Sequence, residues 1–138
     1  MNQYLDRNNI VPYVADNGTI GATIGATVPL YRAAEPCEII TPYFVNFGTS
    51  IAGAVATNYM AFSLLNGGTA GTALTSISST VSSSVTAGWT QRSPVAIIMN
   101  TSKLAAGEWL VGKLDHVGSG LLTLPYVSFE VIRCGYET

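Results

Sequence analysis

The side chains in this sequence that could do chemistry are few. There is one histidine, His116, with eight Asp and Glu, six Lys and Arg, and two cysteines, Cys37 and Cys134. Paired carboxylates can hydrolyse glycosides when a cleft holds them together, and Glu38, Glu108, Asp115 and Glu130 are the candidates. Each lies on a different segment, on a polar position or beside a turn, as the surface acids of a β-sandwich do. His116 directly follows Asp115. Neighbours in a strand point to opposite faces, so this pair is badly placed for an orienting hydrogen bond, and Gly118 and Gly120 make the stretch read as a turn. No nucleophile elbow stands between a strand and a helix, and the glycines of 18–25 lack the lysine and helix of a phosphate cradle. Two cysteines are too few for a zinc site or a disulfide framework. The expectation is a protein that is not an enzyme and takes no cofactor or metal.

Binding chemistry has one candidate. Trp89 sits among polar neighbours, in TAGWTQR, where its ring could stack on a sugar as a ligand platform. It could equally begin a strand and pack into the end of a sandwich or a subunit contact. Trp109 alternates with Val111 and reads as core.

The elements that would carry these residues are strands. Residues 37–47 have Ile39, Tyr43, Val45 and Phe47 on one parity and Ile40 and Phe44 on the other. Residues 58–65 alternate with Met60, Phe62 and Leu64 inward and Ala61 and Ser63 outward, and Asn66-Gly67-Gly68 closes that strand with residues tolerant of positive φ. Further strands are expected at 72–78, 94–99, 108–114 and 121–133, the last with Val127, Phe129 and Val131 against Ser128 and Glu130. The Ser/Thr/Val-rich stretch 78–86 reads as a long loop or a ragged edge strand. No amphipathic helix is visible; 52–59 reads as a loop. Seven or eight strands at this spacing predict an all-β fold, an antiparallel jelly-roll-like β-sandwich.

Residues 1–36 differ in character. They hold Asp6, Arg7, Asp16, Arg32 and Glu35 among Gly, Asn and Pro, and a short repeat, TIGATIGA, at 19–26. Glycine at every fourth position opposes a helix, and a period of four keeps Ile20 and Ile24 on one face of an extended chain. The segment reads as an extended N-terminal arm with one or two edge strands, ahead of a sandwich domain at 37–138; the alternative is the first hairpin of that domain.

Composition narrows the partners. Charged residues are 10% of the 138-residue chain and hydrophobic ones 48%, with a net charge of −2. An average domain is about 25% charged. Disorder is therefore excluded, and so is a basic field for nucleic acid. No apolar run is long enough to cross a membrane, and the polar start lacks the apolar segment of a signal peptide. With so few charges to cover it, part of the surface is expected to meet other protein.

Three strings resemble the small jelly-roll proteins on tailed-bacteriophage particles: EIITPYFVN at 38–46, NYMAFSLLNGG at 58–68, and LAAGEWLV at 104–111. The resemblance runs from Cys37 to Arg133. It implies a capsid decoration or cement protein, synthesised in the host cytoplasm and carried on the virion surface, usually as a trimer or another small homo-oligomer, with the homotrimer favoured. Such proteins contact the major capsid protein, often through an N-terminal arm. Tyr4, Ile10, Val11, Tyr13, Ile20 and Ile24 are the arm residues expected to make those contacts. A fibre-tip or lectin-like receptor module using Trp89 is the alternative. In a jelly roll the first and last strands are antiparallel neighbours; Cys37 is expected to begin the first strand of the roll and Cys134 to end the last, which sets the two thiols near one another.

Overall fold

A computed structural model describes residues 5–12, 24–46, 59–82, 90, 92–117 and 125–133. It is all-β. Among the described residues ten strands run in the order β1 (Leu5–Pro12), β2 (Ile24–Arg32), β3 (Cys37–Asn46), β4 (Tyr59–Asn66), β5 (Thr75–Ser76), β6 (Val81–Ser82), β7 (Pro94–Ala96), β8 (Lys103–Leu104), β9 (Trp109–Val117) and β10 (Pro125–Arg133). One sheet has the order β1-β10-β3-β7, with β8 also on β3; the other has β2-β9-β4-β5, with β6 also on β4. Every pairing between these strands is antiparallel.

The short strands are halves of longer ones. β7 and β8 both pair with β3, and β5 and β6 both pair with β4. Counted this way there are eight strands: the first pairs with the last and the second with the next to last. The third pairs with the split β7/β8 and the fourth with the split β5/β6. That is a long antiparallel hairpin rolled upon itself, the double Greek key of a jelly roll. The edge strands read within 1–36 complete this count: β1 is the outer strand of one sheet and β2 of the other.

The core lies between the sheets. Cys37, Ile39, Phe44, Val127, Phe129 and Val131 project from one sheet, and Phe62, Leu64, Leu110 and Leu114 from the other, all at most 2% exposed. Phe44 meets Phe62 with ring centroids 5.2 Å apart. Tyr31 of β2 meets the edge of Phe129 at 6.1 Å. Each pair joins one sheet to the other. Gly112 makes room for this packing, because a Cβ there would lie 3.2 Å from both Phe62 and Leu30.

Strand β3 departs from simple alternation. Tyr43 pairs with Ser128 and Ile40 with Glu130, so Thr41 and Pro42 together oppose Phe129 alone. This is a β-bulge, and Thr41 adopts φ 45° to make it. The extra residue reverses the parity. Ile39 and Phe44, of opposite parity in the sequence, both point inward, whereas Tyr43 is 40% exposed. A second bulge, at Asn9 and Ile10 of β1, faces β10 one residue away, between Asn8↔Phe129 and Val11↔Val127. Leu30 is an extra residue in β2, between Pro29↔Val111 and Tyr31↔Leu110.

One side of the sandwich is closed by hydrogen bonds. Between β7 and β8 the chain leaves β3 after the Ile97 N–H donates to Pro42 O (2.9 Å), and returns where the Ile39 N–H donates to Ser102 O (2.8 Å). In between, the Asn100 and Thr101 N–H groups donate to Ile77 O, the Ser79 N–H donates to Ile98 O, and the Ile77 N–H donates to Leu64 O of β4. Ser78, only 3% exposed, is the pin. Its Oγ accepts from the Leu64 N–H (2.8 Å) and donates to Ser79 O (2.9 Å).

Trp109 and the 72–78 strand depart from expectation, and the outward Ala61 and Ser63 are more buried than their parity alone implies. Trp109 is half-buried rather than core; it lies on the outer side of its sheet, beside Arg32 and Gly71. Ala61 and Ser63 do lie opposite the inward Phe62 and Leu64, yet they are 7% and 8% exposed. The 72–78 strand shrinks to β5 and the single bridge Ser78↔Met99.

Three outcomes are expected from this packing. Phe62→Ala removes a ring that spans the sheets and costs about 3–5 kcal/mol in chemical denaturation. Ser78→Ala strands a buried Leu64 N–H and costs about 1–3 kcal/mol by the same measurement. Deleting 1–36 removes β1 and β2 and lowers or abolishes cooperative thermal unfolding, because Val28, Leu30 and Tyr31 pack against the core and β2 runs the length of β9.

Candidate functional site

The four candidate acids are distributed over the molecule. Glu38 and Glu130 share the outer face of the β1-β10-β3-β7 sheet, where Glu130 pairs in register with Ile40 and Glu38 with Ile132. Glu38 Oε1 accepts from the Ser102 hydroxyl at 2.7 Å. Asp115 lies on the outer face of the other sheet, 3.3 Å from Lys113 Nζ. Glu108 sits in the turn before β9. Packed sheets stand about 10 Å apart, so the Asp115 carboxylate and the Glu38 and Glu130 carboxylates face away from each other across the sandwich. His116 pairs in register with Ile24 and Met60. Among the described residues, no three His, Cys, Asp or Glu side chains gather as a metal site.

The end of the sandwich that carries Glu108 is tightly laced. The Gly107 N–H donates to Ala33 O and the Ala33 N–H to Glu108 O. The Gly67 N–H donates to Trp109 O, and the Trp109 N–H to Gly68 O. Glu108 Oε2 accepts twice, from the Ala105 N–H and from Asn66 Nδ2, both at 2.8 Å. Asn66 Oδ1 in turn accepts from the Gly68 N–H at 2.8 Å. Gly68, Gly71 and Gly107 have φ of 64°, 74° and 84°, which only glycine adopts at no steric cost. Arg32 lies over the Trp109 ring, 5.9 Å from its centroid. These groups satisfy one another and join the turns at 33–36, 67–71 and 105–108 into one plate. In the sequence Glu108 is only one of four scattered acids; the signal for its role is Asn-Gly-Gly at one turn and Gly-Glu at the other.

The surface with unanswered chemistry is the outer face of the β1-β10-β3-β7 sheet. Pro94, Ala96 and Ile98 are exposed and alternate with half-buried Val95 and buried Ile97. Tyr43 pairs with Ala96 and Val45 with Pro94. Ile98 is 68% exposed and Tyr43 40%. Thr41, Tyr43, Val45, Pro94, Ala96 and Ile98 carry no charge. The β3 bulge is what places Tyr43 here. At the other end of the same face Glu38 stands opposite Lys103 in register. An apolar strip beside a polar margin has the composition of a protein contact.

The expected contact residues fall partly on described strands. Ile10 and Val11 are in β1 and Ile24 is in β2. Tyr4, Tyr13, Ile20 and Trp89 lie outside the described residues. Cys37 is buried and pairs in register with Arg133, so β3 and β10 are antiparallel neighbours as expected, but β3 is the third strand of the roll and not the first: β1 flanks β10 on its other side. Cys134 lies outside the described residues.

No protein-family model matches this chain, and no curated protein matches it. Among solved structures, a chain in "Structure of infectious bursal disease virus Gx strain" aligns with 99% of this chain and 33% of its own length. The identity is 13% and the TM-score 0.35. The chain thus spans about a third of that protein. The jelly roll described above rests on strand order and register, independently of that likeness.

Tyr43 and Ile98 are exposed, and both are expected to be dispensable for folding. Tyr43→Lys with Ile98→Asp is expected to change unfolding free energy by no more than about 1 kcal/mol, since exposed substitutions fall within about ±0.5 kcal/mol each. Denaturant midpoints of the double variant and the parent check this.

Proposed function

We propose that this is a non-enzymatic structural protein of a virion, which decorates and stabilises a tailed-phage capsid by contacting the major capsid protein and further copies of itself. The observation that supports this reading best is the uncharged outer strip of Tyr43, Val45, Pro94 and Ala96 on the jelly roll, with exposed Ile98 just beyond β7. Burying a side chain such as Ile98 contributes roughly 1.5–3 kcal/mol. A contact of about 1,000 Å², repeated over a shell, would sum to substantial resistance against internal pressure. A homotrimer lets each copy present the same strip to its neighbours or to the shell.

The N-terminal segment supplies the second set of contacts in this reading. Tyr4, Ile10, Val11, Tyr13, Ile20 and Ile24 are assigned to the major capsid protein or to a neighbouring copy. Among the described strands β1 and β2 stand at one end of their sheets, positions from which a chain can pair with or cross to another subunit. A glycan-binding role through Trp89 draws no support from any described residue.

The test is co-sedimentation with capsids stripped of this protein. The parent chain is expected to sediment with the shells and to raise their resistance to heat or chelator. The folded Tyr43→Lys/Ile98→Asp variant is expected to stay in the supernatant. Equal decoration by that variant removes the strip from the contact, and a parent chain that never sediments with capsids sinks the proposal.

A further inference from the structure

We propose that Asn66–Gly67 is a deamidation site which the fold holds shut, with the Glu108 carboxylate as the lock, so that the chain is chemically marked only when this end of the sandwich opens. Asn-Gly is the pair least hindered toward imide formation, because glycine has no side chain to obstruct the attacking nitrogen. Here packing forces the pair. A Cβ on Gly67 would lie 2.8 Å from Val111 Cγ2 and 3.1 Å from Gly71 Cα. Asn66 is needed for its bonds to Gly68 and Glu108.

The reaction requires the Gly67 nitrogen to give its proton to solvent base and attack Asn66 Cγ. The N–Cγ bond forms, the Cγ–Nδ2 bond breaks, and ammonia leaves with a proton from water. Water then opens the five-membered imide at either carbonyl, leaving an aspartate at position 66 or its β-linked isomer. Asparagine and water have become aspartate and ammonia, with no change of oxidation state.

Each participant is restrained in the fold. The Gly67 N–H is committed to Trp109 O at 2.8 Å. The Asn66 carboxamide is held at both ends, Oδ1 by the Gly68 N–H and Nδ2 by Glu108 Oε2. Attack therefore requires the Gly67 N–H to leave Trp109 O, and loss of Nδ2 requires breaking the carboxylate hydrogen bond, the strongest class of these contacts. The product cannot return to the same geometry. An aspartate at position 66 would set a carboxylate where Glu108 now meets an amide donor, and the β-linked isomer adds a backbone methylene between that position and the turn that bonds Trp109.

The experiment is peptide mapping by mass spectrometry after incubation in mildly alkaline buffer, with and without unfolding urea. A second pair, Asn17–Gly18, reports the intrinsic rate in urea, where both pairs should react alike. In the native protein Asn66 is expected to react at least about tenfold more slowly than in urea, since one charge-assisted and two neutral hydrogen bonds must open first. E108A should raise the native rate toward the urea value. E108Q, whose amide oxygen can accept both bonds made by Oε2, should keep it low. If E108A does not fold, E108D withdraws the acceptor by one methylene and reads the same effect. Equal rates for Asn66 in native protein and in urea overturn the proposal. A wild-type native rate in folded E108A or E108D removes Glu108 as the lock.

Discussion

The bulge at Thr41 and Pro42 is the constraint on which this sandwich turns. Without the extra residue, Ile39 and Phe44 would point to opposite faces, and only one could reach the core. With it, both are at most 1% exposed, and Phe44 meets Phe62 across the sheets. The cost is a β-branched residue held at φ 45°, of order 1–3 kcal/mol. Full burial of a large side chain contributes about as much or more, so the bulge is sustained by the packing it permits. The same displacement turns Tyr43 outward, so one local irregularity shapes both the core and the exposed strip.

Closure follows a second rule: edge groups that would otherwise be orphaned are bonded across the side of the roll. β7/β8 and β5/β6 are each broken, and in the breaks the backbone at 97–102 crosses to 77–79 and thence to β4. A ragged Ser-rich stretch suits this, because the Ser78 hydroxyl supplies an acceptor where the Leu64 N–H has no strand partner. At one end the three turns are joined by Glu108 in the same manner, with a side chain replacing the missing ladder.

Much of the fold was legible in the sequence. Alternation alone places Val127, Phe129 and Val131 inward in β10 and Phe62 and Leu64 inward in β4, and Asn66-Gly67-Gly68 marks the turn between β4 and β5. What was hidden depends on contacts between distant segments. A period-two pattern carries no sign of an inserted residue, so the parity change in β3 was invisible. Trp109 alternates with buried Val111, yet both lie on the outer side; Val111 is covered by Gly67 and Trp109 is flanked by Gly71 and Arg32. The exposed strip was anticipated only as a property of composition, since which apolar residues remain outside depends on the bulge.

The two outer faces then differ in a way composition could not show. On the β2-β9-β4-β5 face the central residues are covered: Ala61, Ser63, Leu65 and Val111 are all below 9% exposed, and Lys113 and Asp115 form their own pair. On the β1-β10-β3-β7 face the strip beside Tyr43 carries no ion pair or covering turn among the described residues. Association is opposed by the freedom that the contacting groups lose. Backbone already fixed in a hydrogen-bonded ladder has little left to lose. Tyr43, Val45, Pro94 and Ala96 sit on paired strands, and Ile98 follows on backbone anchored to Ser79. Burial of that strip would therefore be opposed mainly by side-chain ordering, which makes this face better suited than its opposite to a permanent protein contact.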